Sequence, residues 1–183
     1  IGAAALAFCI VIVMMRRRNY RKLLPAPVGA ISVPAQNAEQ RTIYATKHQK
    51  RVAELASAIA REMNLSKKLV GMLLRVGIIH DTSSAALPYP VAQTALQYHE
   101  RLNGSGYPQK LAGDDIILEA RILAVADTVE TMSSPRPNRP AMGLDKALEE
   151  IKRNSSTLYD SEVFQALVRL VDRGKFRFQT RYD

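Results

Sequence analysis

Apolar positions recur along most of this chain with the period of a helix. Within residues 44–63, Val52, Leu55, Ala56, Ile59 and Met63 fall at i, i+3 and i+4 spacing. His48, four residues before Val52, shares their face. Residues 69–79 form a second apolar stretch, which runs directly into His80-Asp81. Residues 91–102 predict a third helix, and 116–132 a fourth that is interrupted only by Glu119, Arg121, Asp127 and Glu130. Residues 144–152 and 161–173 are amphipathic and complete the set. Phe176-Arg-Phe178 alternates like a strand but is short. The predicted body is an all-α helical bundle.

Residues 1–15 break the pattern, being apolar and uncharged throughout. Arg16, Arg17, Arg18, Arg21 and Lys22 follow at once. A full membrane span takes about 20 residues, so this stretch reads as the cytoplasmic end of a transmembrane helix that starts before Ile1. A secretory leader would carry its positive charge ahead of the apolar run, not behind it. By the positive-inside rule the rest of the chain lies on the cytoplasmic side of an inner or cell membrane. Residues 23–41 contain Pro25, Pro27, Gly29 and Pro34 and no apolar period, and they read as a linker. The expected organisation is thus a membrane anchor with its basic flank (1–22), a linker (23–41) and a helical domain (42–179).

A chain of 183 residues with 47% hydrophobic content can bury one real core. Its net charge of +9 is partly the arginine cluster. It fits an anionic membrane surface or a phosphorylated ligand as well as nucleic acid. No helix-turn-helix, zinc finger or basic stripe interleaved with aromatics is present, so DNA is not an expected partner. Cys9 is the one cysteine, which rules out a disulfide framework.

The candidate chemistry lies in the polar residues that interrupt apolar helices. His48, His80, Asp81 and Asp127 come from three such helices and could converge on one divalent cation. A buried, unpaired carboxylate costs several kcal/mol. Asp127, following Ala120-Arg-Ile-Leu-Ala-Val-Ala126, must therefore bind a cation, pair with one such as Arg121, or lie at the surface. Adjacent His80 and Asp81 can face one ion only near a helix end. Taken singly, His48 could be an ordinary core histidine and Asp81 a cap for the next element.

Five stretches in order carry a family resemblance. They are His48-Gln-Lys-Arg-Val-Ala-Glu-Leu-Ala56, Gly77-Ile-Ile-His-Asp81, His99-Glu-Arg-Leu-Asn-Gly-Ser-Gly-Tyr-Pro108, Ala120-Arg-Ile-Leu-Ala-Val-Ala-Asp127 and Arg136-Pro-Asn-Arg-Pro140. Over about residues 44–178 the chain resembles the HD-GYP phosphodiesterases. The resemblance implies an HD-domain helical bundle and a divalent metal centre, most often iron or manganese. It also implies hydrolysis of the bacterial second messenger cyclic di-GMP to pGpG or GMP. On the matching positions it implies His48, His80, Asp81, His99 and Asp127 as metal ligands, with His80 and Asp81 central to catalysis. Arg136, Arg139 and Tyr107 are the implied substrate contacts. The Gly106-Tyr107-Pro108 loop is implied as a meeting point for diguanylate cyclase partners, and a homodimer is a further expectation.

The chain also departs from the family pattern. Tyr98 stands where the family has a histidine ligand, Ser83 and Ser84 replace a glycine and a lysine, and Asn103 and Asn138 replace an aspartate and an aromatic. Only residues 85–96 separate the His80-Asp81 region from Tyr98-His-Glu, where the family carries a longer insert with another histidine. The chain has three histidines in all, so that ligand has no substitute. These departures predict one tightly bound ion at most. They leave open an enzyme, a cyclic di-GMP-binding or partner-docking module without turnover, and a truncated gene product.

Overall fold

A computed structural model describes residues 35–81, 87–136, 139–174 and 176, with side chains from Tyr44 onward. The expected membrane anchor and most of the expected linker lie outside the described residues, as do Ser83 and Ser84. Among the described residues no helix is long and apolar enough to cross a membrane.

Among the described residues six α-helices follow in order: α1 (Ala35–Glu62), α2 (Lys67–Ile79), α3 (Tyr89–Gln97), α4 (Leu118–Ser133), α5 (Leu144–Arg153) and α6 (Ser161–Asp172). A short 3-10 turn at Gly113–Asp115 precedes α4. The described residues contain no strand, only isolated bridges such as Asn103 with Ala112. The all-α expectation therefore stands. Helix α1 starts at Ala35, inside the stretch expected as linker. Pro34 is the last proline there, and the Ala, Gln, Glu and Arg that follow are good helix formers.

The helix ends have local causes. Asn64 takes a left-handed turn after α1 (φ 56°), and Ser66 caps α2 by accepting from Leu69 N at 3.3 Å. Asp160 caps α6, accepting from Glu162 N and Val163 N at 2.8 and 3.2 Å. Its other oxygen accepts from Arg121 of α4 at 2.8 Å, which ties α6 to the centre of the bundle.

Helix α4 is that centre. Ala120, Ile122, Leu123, Val125, Ala126 and Val129 are buried almost all round it, as expected of a helix apolar on every side. It packs against α2, α3, α5 and α6. Helices α1 and α2 meet unusually closely. A Cβ built on Gly77 would stand 2.7 Å from Ala53 Cβ, so only a residue without a side chain fits there. That contact lies one turn before His80 on α2 and five residues after His48 on α1, and so sets the spacing of the two histidines.

The third helix is shorter than its apolar pattern predicts. It ends at Gln97, and Tyr98, His99 and Glu100 form the turn after it. Glu100 is buried and accepts from Gln109 N at 2.6 Å and Leu111 N at 3.1 Å. Those bonds draw the Gly-rich loop back across residues 98–100 and close the helix. Gly106 lies against the same turn, where a Cβ would be 2.5 Å from both His99 O and Arg101 N. The Tyr107–Pro108 peptide bond is cis.

Candidate metal centre

Four of the sequence-predicted ligands converge. His48 projects from α1, His80 caps the end of α2, Asp81 follows in the turn, and Asp127 comes from the middle of α4. His48 Nε2 lies 3.3 Å from Asp127 Oδ1 and 3.9 Å from Asp81 Oδ2. His80 Nε2 lies 3.4 Å from Asp81 Oδ1 and 4.0 Å from Asp127 Oδ1. Donor atoms of His48, His80 and Asp81 all fall within 4.8 Å of one another. The end of α2 at Ile79, just before His80 and Asp81, is what allows neighbouring side chains to face one point. Asp127 does not turn to Arg121, which is taken by Asp160.

Hydrogen bonds fix which imidazole nitrogen faces inward. His80 Nδ1 is 2.7 Å from Gly77 O, an atom that can only accept. The proton is therefore on Nδ1, and in a neutral ring Nε2 presents a lone pair. That Nε2 is buried and has no hydrogen-bond partner. A lone pair aimed at two carboxylates calls for a proton or a metal cation between them. The donor set, imidazole nitrogen with carboxylate oxygen, suits a borderline divalent ion such as iron, manganese, nickel or zinc. The residues present thus fit the metal that the family resemblance implies.

His48 is held from behind by Glu130, whose Oε2 bonds its Nδ1. Glu130 is 0% exposed. Its Oε1 also accepts from Arg51 Nε at 2.6 Å and Ser134 Oγ at 2.7 Å. A carboxylate behind a ligating histidine orients the ring and raises its basicity. Burial opposes charge on His48, yet hydrogen bonds to Asp127 and Glu130 and their charges outweigh it and raise its pKa to about 9. Burial likewise opposes ionisation of Asp127 and Glu130, but the His48 bonds hold both below the usual carboxylate range. Glu130 and Arg51 were not singled out as site residues from sequence. The available signal was spacing: each follows a ligand, Asp127 or His48, by three positions on a helix.

His99 does not join the converging atoms. Its ring stacks between Tyr98, 3.9 Å away, and Tyr107, 4.5 Å away. Burial lowers its pKa, so it is neutral near pH 7. The shortened α3 explains this placement, since His99 leaves from a turn and not from a helix aimed into the core. Tyr98 sits edge-on to His80 at 5.1 Å and donates its hydroxyl to Asp81 Oδ1 at 3.1 Å. Burial, with Asp81 and Asp127 nearby, pushes the phenol pKa up, so the proton stays on oxygen. Tyr107 is 58% exposed. Arg136 and Arg139 form a bridge with each other. Both reach Thr131: Arg136 donates to its Oγ1 at 2.8 Å and Arg139 to its carbonyl at 2.7 Å. Thr131 is one helical turn after Asp127, on the same side of α4.

The sequence carries the same signature as this geometry. An HD domain family model matches residues 88–163. A 3'3'-cGAMP-specific phosphodiesterase from Vibrio cholerae is 31% identical, over 70% of this chain and 36% of its own. A cyclic di-GMP phosphodiesterase response regulator from Xanthomonas campestris is 30% identical, over 65% of this chain and 41% of its own. The chain belongs to the HD-GYP family. Among solved structures, an HDG"Y"P protein from Bdellovibrio bacteriovorus shares the fold, with a TM-score of 0.56 at 14% identity, covering 70% of this chain and 52% of that one.

This HD-GYP chain spans about two fifths of the length of the curated relatives it matches. The match to the Vibrio protein runs over 164 positions, of which this chain fills about 128 (70% of its 183 residues). The match therefore includes some 36 positions that this chain does not fill.

Proposed function

We propose that this domain is a metal-dependent phosphodiesterase for cyclic dinucleotides, with cyclic di-GMP as substrate and pGpG or GMP as product. The observation that carries the reading is the buried, unpartnered Nε2 of His80 facing His48, Asp81 and Asp127. The names of the relatives point to the substrate class. His48, His80, Asp81 and Asp127 would hold one ion, iron or manganese. Such an ion supplies Lewis acidity and an activated water. The protein's own groups do the rest. Glu130 and Arg51 hold His48, and Gly77 O holds His80. Arg136 and Arg139 offer permanent forked charge to substrate phosphates. His99, neutral beside the centre, can take up or release a proton. Tyr107 presents an exposed ring at the rim, and its loop is the proposed docking surface for a diguanylate cyclase partner. A membrane anchor before the linker would keep the domain at the cytoplasmic face, where a homodimer could form.

A second reading is a receptor that binds the cyclic dinucleotide without turnover. Tyr98 in a ligand position and the unfilled 36 positions favour it. Turnover of cyclic di-GMP and 3'3'-cGAMP by the full chain, loaded with Mn²⁺ or Fe²⁺ and compared with Asp81→Ala, separates the two. Metal-dependent product that disappears in the variant supports the enzyme. Binding with no product from a metal-loaded chain sinks it and leaves the receptor.

A further inference from the structure

Asp81 is the loosest of the four donors. It leaves from the turn after α2, and its side chain is 44% exposed. Among the described residues of its own turn, none donates a hydrogen bond to its side chain. The restraint comes from Tyr98, at the end of α3. The phenol donates to Asp81 Oδ1 at 3.1 Å. The ring cannot swing away, because it is 6% exposed and wedged between His80, edge-on at 5.1 Å, and His99 at 3.9 Å.

We propose that Tyr98 is a positioning residue of the metal centre: it fixes how Asp81 meets the ion and closes that side of the carboxylate to a second ion. This rests on the metal-centre reading above. A carboxylate has about four lone-pair sites. Oδ1 gives one to the phenol while facing His80 Nε2, and Oδ2 faces His48 Nε2. Both oxygens are thereby turned towards the two imidazoles and Asp127. The phenol O–H points its positive end at Asp81, so the space between them repels a cation. One ion fits among His48, His80, Asp81 and Asp127, and none fits between Asp81 and Tyr98.

The test is direct binding of Mn²⁺ and Co²⁺ alone to the full chain, read as stoichiometry and Kd by calorimetry and as the visible spectrum of bound Co²⁺. Tyr98→Phe keeps the ring packing and removes the donor. Tyr98→His puts a shorter ring with a lone pair in its place and opens the gap beside Asp81. The wild type should take one ion per chain. Tyr98→Phe should take one ion with Kd raised about tenfold or more, the usual effect of losing an outer partner of a ligand, and with an altered Co²⁺ spectrum. Tyr98→His should take two ions. A Tyr98→Phe chain with wild-type Kd and spectrum overturns the positioning role, whatever its melting temperature. A wild type that takes two ions, or a Tyr98→His chain that stops at one, overturns the exclusion. A wild type that takes none overturns the metal centre itself, a different failure.

Discussion

His48 and Glu130 stand 82 positions apart and are hydrogen-bonded in the core. One carries a metal-facing nitrogen, and the other holds the opposite edge of the same ring. The bond joins α1 to the central α4, so a single contact serves both fold and site.

Glu130→Gln should therefore cost both. Breaking a buried charged network typically costs about 3–5 kcal/mol. A lowered melting temperature of the metal-free chain measures that loss. Metal affinity should fall about 10- to 100-fold, as for other partners behind ligating histidines, and Mn²⁺ titration measures it. A Glu130→Gln chain with wild-type Mn²⁺ affinity would remove Glu130 from the site.

Metal binding should tighten with pH. In the metal-free chain His48 titrates at about 9, faced by Asp127 and Glu130 from α4, Asp81 from the turn after α2, and Arg51 from its own helix. An ion must displace the His48 proton. Below about pH 9, affinity should rise about tenfold per pH unit, with about one proton released per ion bound. Calorimetry in buffers of different ionisation enthalpy counts that proton. The metal-free fold shows the opposite trend. The His48 pKa is raised above its ordinary 6.5, so its contribution to stability is complete below pH 6.5 and is lost as pH climbs through 9. Metal-free melting temperature should fall across that window.

Two glycines of α2 should respond in opposite directions to the same substitution. Gly77→Ala drives a methyl into Ala53 and should destabilise by about 1–3 kcal/mol, the usual range for overpacking. Gly71→Ala meets only the end of the Arg75 side chain, Nη1 at 3.8 Å, and should stabilise by about 0.5–1 kcal/mol through helix propensity. Denaturant midpoints of the two variants check the pair.

Arg136→Ala and Arg139→Ala should weaken cyclic di-GMP binding and leave Mn²⁺ affinity unchanged. Arg139→Ala should also loosen the end of α4, because its guanidinium holds the Thr131 carbonyl. Equilibrium binding of each ligand to each variant checks this. Unchanged nucleotide affinity in both variants would remove the arginines from substrate recognition.

The helices and the four converging donors were legible because their signals are local. Helical period marks α1, α2 and α4, and a histidine or aspartate inside an apolar run stands out. Glu130 gave the same kind of signal, an acid three residues after Asp127, but its partner His48 lies on another helix and no spacing reveals the pairing. The end of α3 was not legible either. The residues up to Leu102 continue the apolar pattern. What stops the helix is Glu100 accepting from backbone nine and eleven residues further on. His99 moved with that end, which is why its predicted place among the ligands differs from its observed place between two tyrosines.

The chain contains no tryptophan, so its near-ultraviolet signal comes mainly from seven tyrosines. Tyr98 is buried, asymmetrically packed and hydrogen-bonded to Asp81. Its ring touches His99, and that ring touches exposed Tyr107. Charge drawn from Asp81 reaches the Tyr98 ring through its hydroxyl. The protein thus carries its own optical gauge of the centre, readable by circular dichroism or tyrosine emission without any added label.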